Sequence, residues 1–359
     1  MSHNQGYSVM KRRDAQIAVM GATGTGKSSF VKAVTNDRRV HIGHCLDSET
    51  DTITLSRFYE EPDARCVTLI DTPGFDDSRG AAGGLSDADI LRKIAAYLEQ
   101  EYDDDRKLDG LIYLHRISDV RVGNTSQRNL RMFRKLVGSQ SMKNVVIVTT
   151  MWDLVPRQEA ERRERELMTS KSFFKTLLDN GAELVRFGRN CQGEKFQPPL
   201  EVVSDLLKWS EPEWLCIQTE MDEGKGVAET SAGSELSQEL RALITKHQNQ
   251  MRELRQELAE ALQERDMRLK RELDVERSKL EHEVKRWERE RQRLREDLDS
   301  LRATAERQKI VSQTRLEQER AEYKRTMPSW TSSLADGVKA GASIFSALHG
   351  AGALAGLHF

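Results

Sequence analysis

Eight consecutive residues, Gly21-Ala22-Thr23-Gly24-Thr25-Gly26-Lys27-Ser28, carry the strongest chemical signal in the chain. Glycines at 21, 24 and 26 let a backbone wrap closely around phosphates without a Cβ in the way. The amides of Thr23 and Thr25, with those of Lys27, Ser28 and Ser29 at the start of a following helix, are expected to point at negative charge. Lys27 then reaches the β- and γ-phosphates, and the Ser28 hydroxyl is offered to Mg²⁺. The chemistry implied is capture of a metal-bound nucleoside triphosphate.

Two later segments extend that reading. Asp71-Thr72-Pro73-Gly74 closes an apolar run, which puts Asp71 where a water-mediated second Mg²⁺ anchor belongs and the Gly74 amide within reach of a γ-phosphate. An ordinary turn built on the same residues is the alternative. Thr149-Thr150-Met151-Trp152-Asp153 resembles the fourth box of GTPases, N/T-K-x-D, whose Asp accepts hydrogen bonds from guanine N1–H and the exocyclic amine. The resemblance implies that Asp153 reads the base, Thr150 braces the loop, Met151 covers the base in place of Lys, and Trp152 shields the site. A helix-capping Asp on a strand–helix loop is the alternative.

Together these boxes resemble the translation-factor-related GTPases, and among them the septin-like group that holds the immunity-associated GTPases (GIMAP/AIG) and the chloroplast Toc receptors, over residues 15–215. The resemblance implies a Mg²⁺-binding Thr in the first switch loop, for which Thr50 is the candidate and Thr52 the reserve, and a fifth box at Arg186-Phe187-Gly188 lining the base with amides. Phe75 stands where a Ras-like Gln would orient water, which predicts slow GTP hydrolysis to GDP and phosphate. Relatives of this kind pair across the nucleotide face, so Arg79, His115 and Arg116 are candidate donors to a partner's site, with plain surface residues as the alternative and, for His115, a satisfied hydrogen-bonding residue in the strand–loop junction as another.

The elements that must position these residues are legible as alternation. Apolar runs at Gln16–Met20, Val67–Ile70, Leu111–Leu114 and Val145–Thr149, with Glu183–Phe187 weaker, read as strands. Ser86-x-x-Asp89 opens a helix as a capping box, Asn124–Val137 is a helix stopped by Gly138, and Ser172–Asn180 is one stopped by Gly181. This predicts an α/β fold: a three-layer, mostly parallel sheet of P-loop NTPase type, followed by a long α-helical coiled-coil segment. The expected divisions are a disordered 1–14, a G domain over 15–219, a linker over 220–234, one long charged helix over 235–326 and a small-residue tail over 327–359.

In that helix Leu273, Leu280, Trp287, Leu294 and Leu301 recur every seventh residue, with Val284, Leu298 and Ala305 completing an a/d seam, while Arg277 and Arg291 interrupt it. A solitary helix supported by its own ion pairs is the alternative. A net charge of −2 with interspersed signs and no aromatic interleaving argues against nucleic-acid binding. The four cysteines, Cys45, Cys66, Cys191 and Cys216, show no C-x-x-C spacing and read as free thiols. No leader-like apolar run precedes Ala15, which points to a cytoplasmic location or the cytosolic face of a membrane. Ala340–Phe359 lacks charge and matches the ~20 residues that span a bilayer, but its Gly/Ala content favours packing on a partner over insertion. The expected function is a nucleotide-dependent switch or scaffold with guanine nucleotide, Mg²⁺, a homodimer partner and an effector. A non-hydrolysing coiled-coil adaptor and an ATPase are the alternatives.

Overall fold

The structure is a computed structural model and describes residues 13–35, 52–60, 65–75, 85–119, 124–263 and 267–326. Its contacts divide the chain into a unit over residues 1–306 and a second over 307–359, of which the described part is the end of one helix.

The four strong apolar runs form the middle of a six-stranded sheet: β1 (Ala15–Gly21), β3 (Arg65–Asp71), β4 (Gly110–Arg116) and β5 (Val145–Thr150). With β2 (Thr54–Glu60) and β6 (Glu183–Arg186) the order is β2-β3-β1-β4-β5-β6, and every pairing is parallel except β2 with β3. Both faces are covered, which is why these strands read as continuous apolar runs. Along β1, Ala15, Ile17 and Val19 enter one core with α1 (Lys27–Thr35) and α6 (Pro199–Trp209), while Ala18 and Met20 face the other. That second core holds α2 (Asp87–Asp103), α3 (Asn124–Val137), α5 (Lys175–Asp179) and α7 (Cys216–Asp222). The Ser86–Asp89 capping box is formed, and Gly138 and Gly181 take φ of +81° and +95° at their helix ends. The helix expected over Ser172–Asn180 is confined to Lys175–Asp179. A further helix, α4 (Arg157–Thr169), carries too few apolar residues to have stood out.

Two organisational expectations are corrected. The Gly-rich stretch 220–234 is no loose linker. Gly224 (φ +88°) ends α7, a 3₁₀ turn follows at Val227–Glu229, and α8 (Ser231–Gln263) begins at once. The start of α8 is fixed by the Thr230 hydroxyl, which accepts from the Gly233 amide at 3.1 Å, and by Glu220, which accepts from the Ser231 amide at 2.8 Å. Leu236 and Leu240 follow, both fully buried.

The single long helix is instead three: α8, α9 (Met267–Arg293) and α10 (Asp299–Thr326). α9 folds back along α8, and His247 Nε2 lies 3.2 Å from Glu283 across the pair. The a/d seam is real, for Leu273, Leu280, Val284, Leu294, Leu298 and Ala305 are buried, but within this chain it packs on α8, α2 and the domain core. No Pro or Gly marks the break between α9 and α10. The chain turns there because Leu294 and Leu298 go inward, at 1% and 5% exposure, and Arg92 of α2 donates to the freed carbonyls of Glu296 and Asp297.

Candidate nucleotide site

The Gly21–Ser28 loop leaves β1 and enters α1, and it is braced from two sides. The Thr23 amide donates to the Phe75 carbonyl at 2.7 Å, the Phe75 amide to the Gly21 carbonyl at 3.3 Å, and the Thr23 hydroxyl to the Gly74 carbonyl at 3.0 Å. On the other side the Thr150 hydroxyl donates to the Thr25 carbonyl at 2.9 Å. Gly21, Gly24 and Gly26 hold φ of +145°, +74° and +89°, a backbone that other residues rarely adopt.

Lys27 is 7% exposed, and its ammonium donates to the carbonyls of Ala22 and Gly21 at 3.0 and 3.3 Å. Burial lowers its pKa to about 8, against the pull of Asp71 upward and with a smaller push down from Arg116. The Ser28 hydroxyl donates to Asp71 Oδ2 at 2.7 Å, so the first and third boxes meet as the spacing predicts. Burial raises the Asp71 carboxyl, and Lys27 and Ser28 oppose that rise. Its other oxygen, Oδ1, is buried without a hydrogen-bond partner. An orphaned carboxylate oxygen beside a serine hydroxyl and an ammonium is a donor set that fits a hard divalent cation and phosphate oxygens.

Gly74 lies against the loop. A Cβ there would stand 2.6 Å from Lys27 Nζ and 2.7 Å from the Thr23 amide nitrogen. Arg116 comes close as well, with Nη1 3.2 Å from where a Cβ on Gly24 would be, and it pairs with Asp119 at 3.0 Å. His115 is inside the domain rather than on its surface. It is 8% exposed, packs edge-on to Phe174 at 5.3 Å, and burial lowers its pKa to about 4, so it is a neutral core residue.

At the base end, Met151 takes a left-handed φ of +61° and Asp153 follows on the exposed side, with no hydrogen bond or ion pair to any described residue. Trp152 does not shield the site. It is 2% exposed, donates from Nε1 to Thr149 at 3.1 Å, and lies under the Arg186 guanidinium at 4.4 Å. Arg186 is engaged by Glu164, the Phe187 amide donates to the Thr149 carbonyl at 2.9 Å, and the Phe187 ring packs on Phe30. These two residues of the expected fifth box are therefore structural, leaving Gly188 (φ +97°). Ser29 sits in the first turn of α1 and Thr52 is exposed, whereas Thr50 and Arg79 lie outside the described residues.

Residues 16–151 match the model of the 50S ribosome-binding GTPase family, a span that takes in the loop, Asp71 and Gly74 and stops two residues before Asp153. The N-terminal domain is a P-loop GTPase domain. No curated protein matches the chain. Among solved structures, the GTPase domain is similar to Toc33 from Arabidopsis thaliana in complex with Mg²⁺ and GMPPNP, at 19% identity over 55% of this chain and 85% of that one, TM-score 0.42. It is similar to a structure described under the statement that dimerisation is important for the GTPase activity of the chloroplast translocon components atToc33 and psToc159, at 18% identity over 55% and 85%, TM-score 0.45. It is also similar to the G domain of the FeoB iron transporter of T. maritima, at 18% identity over 55% and 98%, TM-score 0.32.

Within the GTPase domain, α2 contributes residues whose importance is invisible in sequence. Its N-terminus carries Asp87, which pairs with buried Arg128 of α3, and the Ala88 amide donates to Glu290 of α9 at 3.4 Å. Asp89 pairs with Arg293 at 2.6 Å, and Glu99 accepts two hydrogen bonds of 2.7 Å from Arg302. One helix, leaving the loop after Gly74, is thus gripped along its length by the α9–α10 elbow.

Proposed function

We propose that this protein binds GTP with Mg²⁺, hydrolyses it slowly to GDP and phosphate, and works as a nucleotide-dependent switch whose output is the seating of the α9–α10 elbow on α2. The 2.7 Å contact of Ser28 with Asp71 beside a buried Lys27 is the observation that carries the first part. Lys27, Ser28 and the Gly26 amide would hold the phosphates, the Thr23 and Thr25 amides being engaged by the carbonyls of Phe75 and Ala22, and Asp71 would anchor the metal through water. Mg²⁺, when bound, supplies charge neutralisation on the phosphate oxygens. The reaction is in-line attack of water on the γ-phosphorus: the new P–O bond forms as the bond to the β-γ bridging oxygen breaks, the water's protons leave with phosphate and solvent, and GDP departs. Lys27 and the loop amides stabilise charge at the departing and transferring oxygens. Asp153, unpartnered and exposed, is free to accept both guanine donors.

Phe75 supports slow turnover. It is 1% exposed, its backbone is committed to the Gly21–Thr23 strand extension, and its ring cannot orient water. The same observation favours a second reading, a nucleotide-binding adaptor that does not turn over. The switch reading draws on sequence order, Gly74 being followed closely by α2 and α2 holding the elbow: a γ-phosphate held at Gly74 would act on the start of α2. We place the protein on the cytosolic side. No helix among the described residues is long and apolar enough to cross a membrane, and Ala340–Phe359 lies outside them.

The test is a titration of GTP, GDP and ATP against the full chain with and without Mg²⁺, alongside Lys27→Ala and with phosphate release measured at two protein concentrations. Mg²⁺-dependent guanine binding lost in Lys27→Ala is expected. Phosphate release that equals the Lys27→Ala background would select the adaptor reading. A rate that rises with concentration would establish self-association as part of the activity.

A further inference from the structure

A cavity of about 630 Å³ lies far from the phosphate loop, between α7, the Val227–Glu229 turn, α8 and the α9–α10 elbow. That volume is within the range that holds small organic ligands, roughly 300–1,000 Å³. Its lining mixes apolar side chains, Met221, Val227, Leu294 and Leu298, with charged ones.

The charges do not cancel locally. Of the acids in the lining, Glu296 is engaged by Arg92 at 3.3 Å, Asp297 accepts from the Asp299 amide at 3.0 Å, and Glu229 accepts from the Gly226 amide at 3.3 Å. Of the bases, Arg302 is held by Glu99 at 2.7 Å, and Lys225 lies 3.2 Å from Glu223 and 3.5 Å from Glu220. Arg241 of α8 and Arg295 of the elbow line the same cavity, and neither has a carboxylate within ion-pair distance among the described residues. One turn before Arg241 on the same face of α8 stands Ser237, 6% exposed, which lines the same cavity.

We propose that this cavity binds a small organic anion, with its acidic head between Arg241 and Arg295 and within reach of Ser237, and a short apolar body on Leu294 and Leu298. A guanidinium pair with a hydroxyl donor suits a phosphate monoester or carboxylate head. Such a ligand touches α8 and the elbow together, and the elbow is also the part that α2 holds through Arg92. Occupancy therefore favours the seated elbow by mass action, whatever nucleotide the GTPase domain carries.

The test uses the full-length chain and isothermal titration with octyl phosphate as probe, with inorganic phosphate and octanol as separate arms for head and body. Saturable binding of octyl phosphate is expected, at least about tenfold tighter than inorganic phosphate, with octanol silent. Arg241→Gln/Arg295→Gln is expected to weaken it at least about tenfold, while Arg241→Lys/Arg295→Lys retains most of it, far-UV circular dichroism is unchanged and GTP affinity equals the parent's. Absence of saturable heat, or equal affinity in the parent and the glutamine variant, overturns the proposal. Inorganic phosphate binding as tightly as octyl phosphate removes the apolar body from it. A failure here leaves the GTPase reading untouched, because that reading is tested at Lys27.

Discussion

Glu290 of α9 accepts a hydrogen bond from the Ala88 amide at the start of α2, joining residues 202 apart in sequence. A carboxylate from the C-terminal helices thus occupies the positive end of α2. It is 5% exposed and has Asp87 beside it, with Arg128 and Arg286 as the neighbouring cations. Burial, then Asp87, raises its pKa to about 7.

The sign of the pH effect follows. In the unfolded or undocked chain Glu290 titrates near the ordinary carboxylate value, so between that value and about 7 the docked state holds the extra proton. Docking is strongest below the undocked pKa and weakens as pH rises through about 7, by up to about 3 kcal/mol in total. Glu239, also raised by burial and facing Arg128 and Arg131, acts in the same direction. Hydrogen exchange along α9 should therefore quicken between about pH 5 and about pH 8 beyond the intrinsic chemical rate. Glu290→Gln, which keeps an acceptor and loses the titration, should flatten that slope. Equal slopes in both proteins would remove Glu290 from the account.

Arg92→Ala should loosen the elbow more than Arg302→Ala does. Arg92 is 7% exposed and satisfies two backbone carbonyls that have no other partner in view, so its loss should cost about 2–3 kcal/mol. Arg302 is 47% exposed, and its pairing with Glu99 should contribute no more than about 1 kcal/mol. Chemical denaturation of the two variants measures the difference.

Gly74→Ala should leave the fold intact and weaken triphosphate binding at least about tenfold. The added methyl meets Lys27 Nζ at 2.6 Å and the Thr23 amide nitrogen at 2.7 Å, so lysine or loop must shift. Titration with a non-hydrolysable GTP analogue reads it, and an unchanged affinity would contradict the close approach.

Asp153→Ala should abolish the preference for guanine over adenine, a loss of about 2–3 kcal/mol or roughly a hundredfold in GTP affinity. Because Asp153 makes no bond within the described chain, its thermal stability should stay within about 0.5 kcal/mol of the parent. Competition of GTP with ATP, together with a melting curve, separates recognition from folding.

What could be read from sequence was what local spacing encodes. The phosphate loop and Asp71 follow from pattern next to apolar runs, the role of Thr150 from the resemblance of residues 149–153 to a GTPase box, and the Ser86–Asp89 box from two residues three apart. Strand β2 was missed because Thr-Leu-Ser-Arg-Phe-Tyr-Glu sits on the sheet edge and carries little apolar content. The role of Trp152 and the choice among the readings of His115 turn on burial, which is a tertiary property. The heptads were found, yet nothing local distinguishes a seam that seeks a second copy from one that meets α8 of its own chain. The break at Leu294–Leu298 depends on Arg92, some 200 residues earlier, and so could not be seen from its own neighbourhood.

The folding-back of α8–α10 has a practical consequence for anyone dissecting this molecule. Leu91, Leu98, Phe133 and Val137 share one core with Leu236, Leu240, Leu294 and Leu298. A fragment trimmed at residue 219, where a nucleotide domain would ordinarily be cut, would present that greasy side bare to water and stick to itself. Its clumping would then be mistaken for a genuine assembly. The compact unit runs on to residue 306.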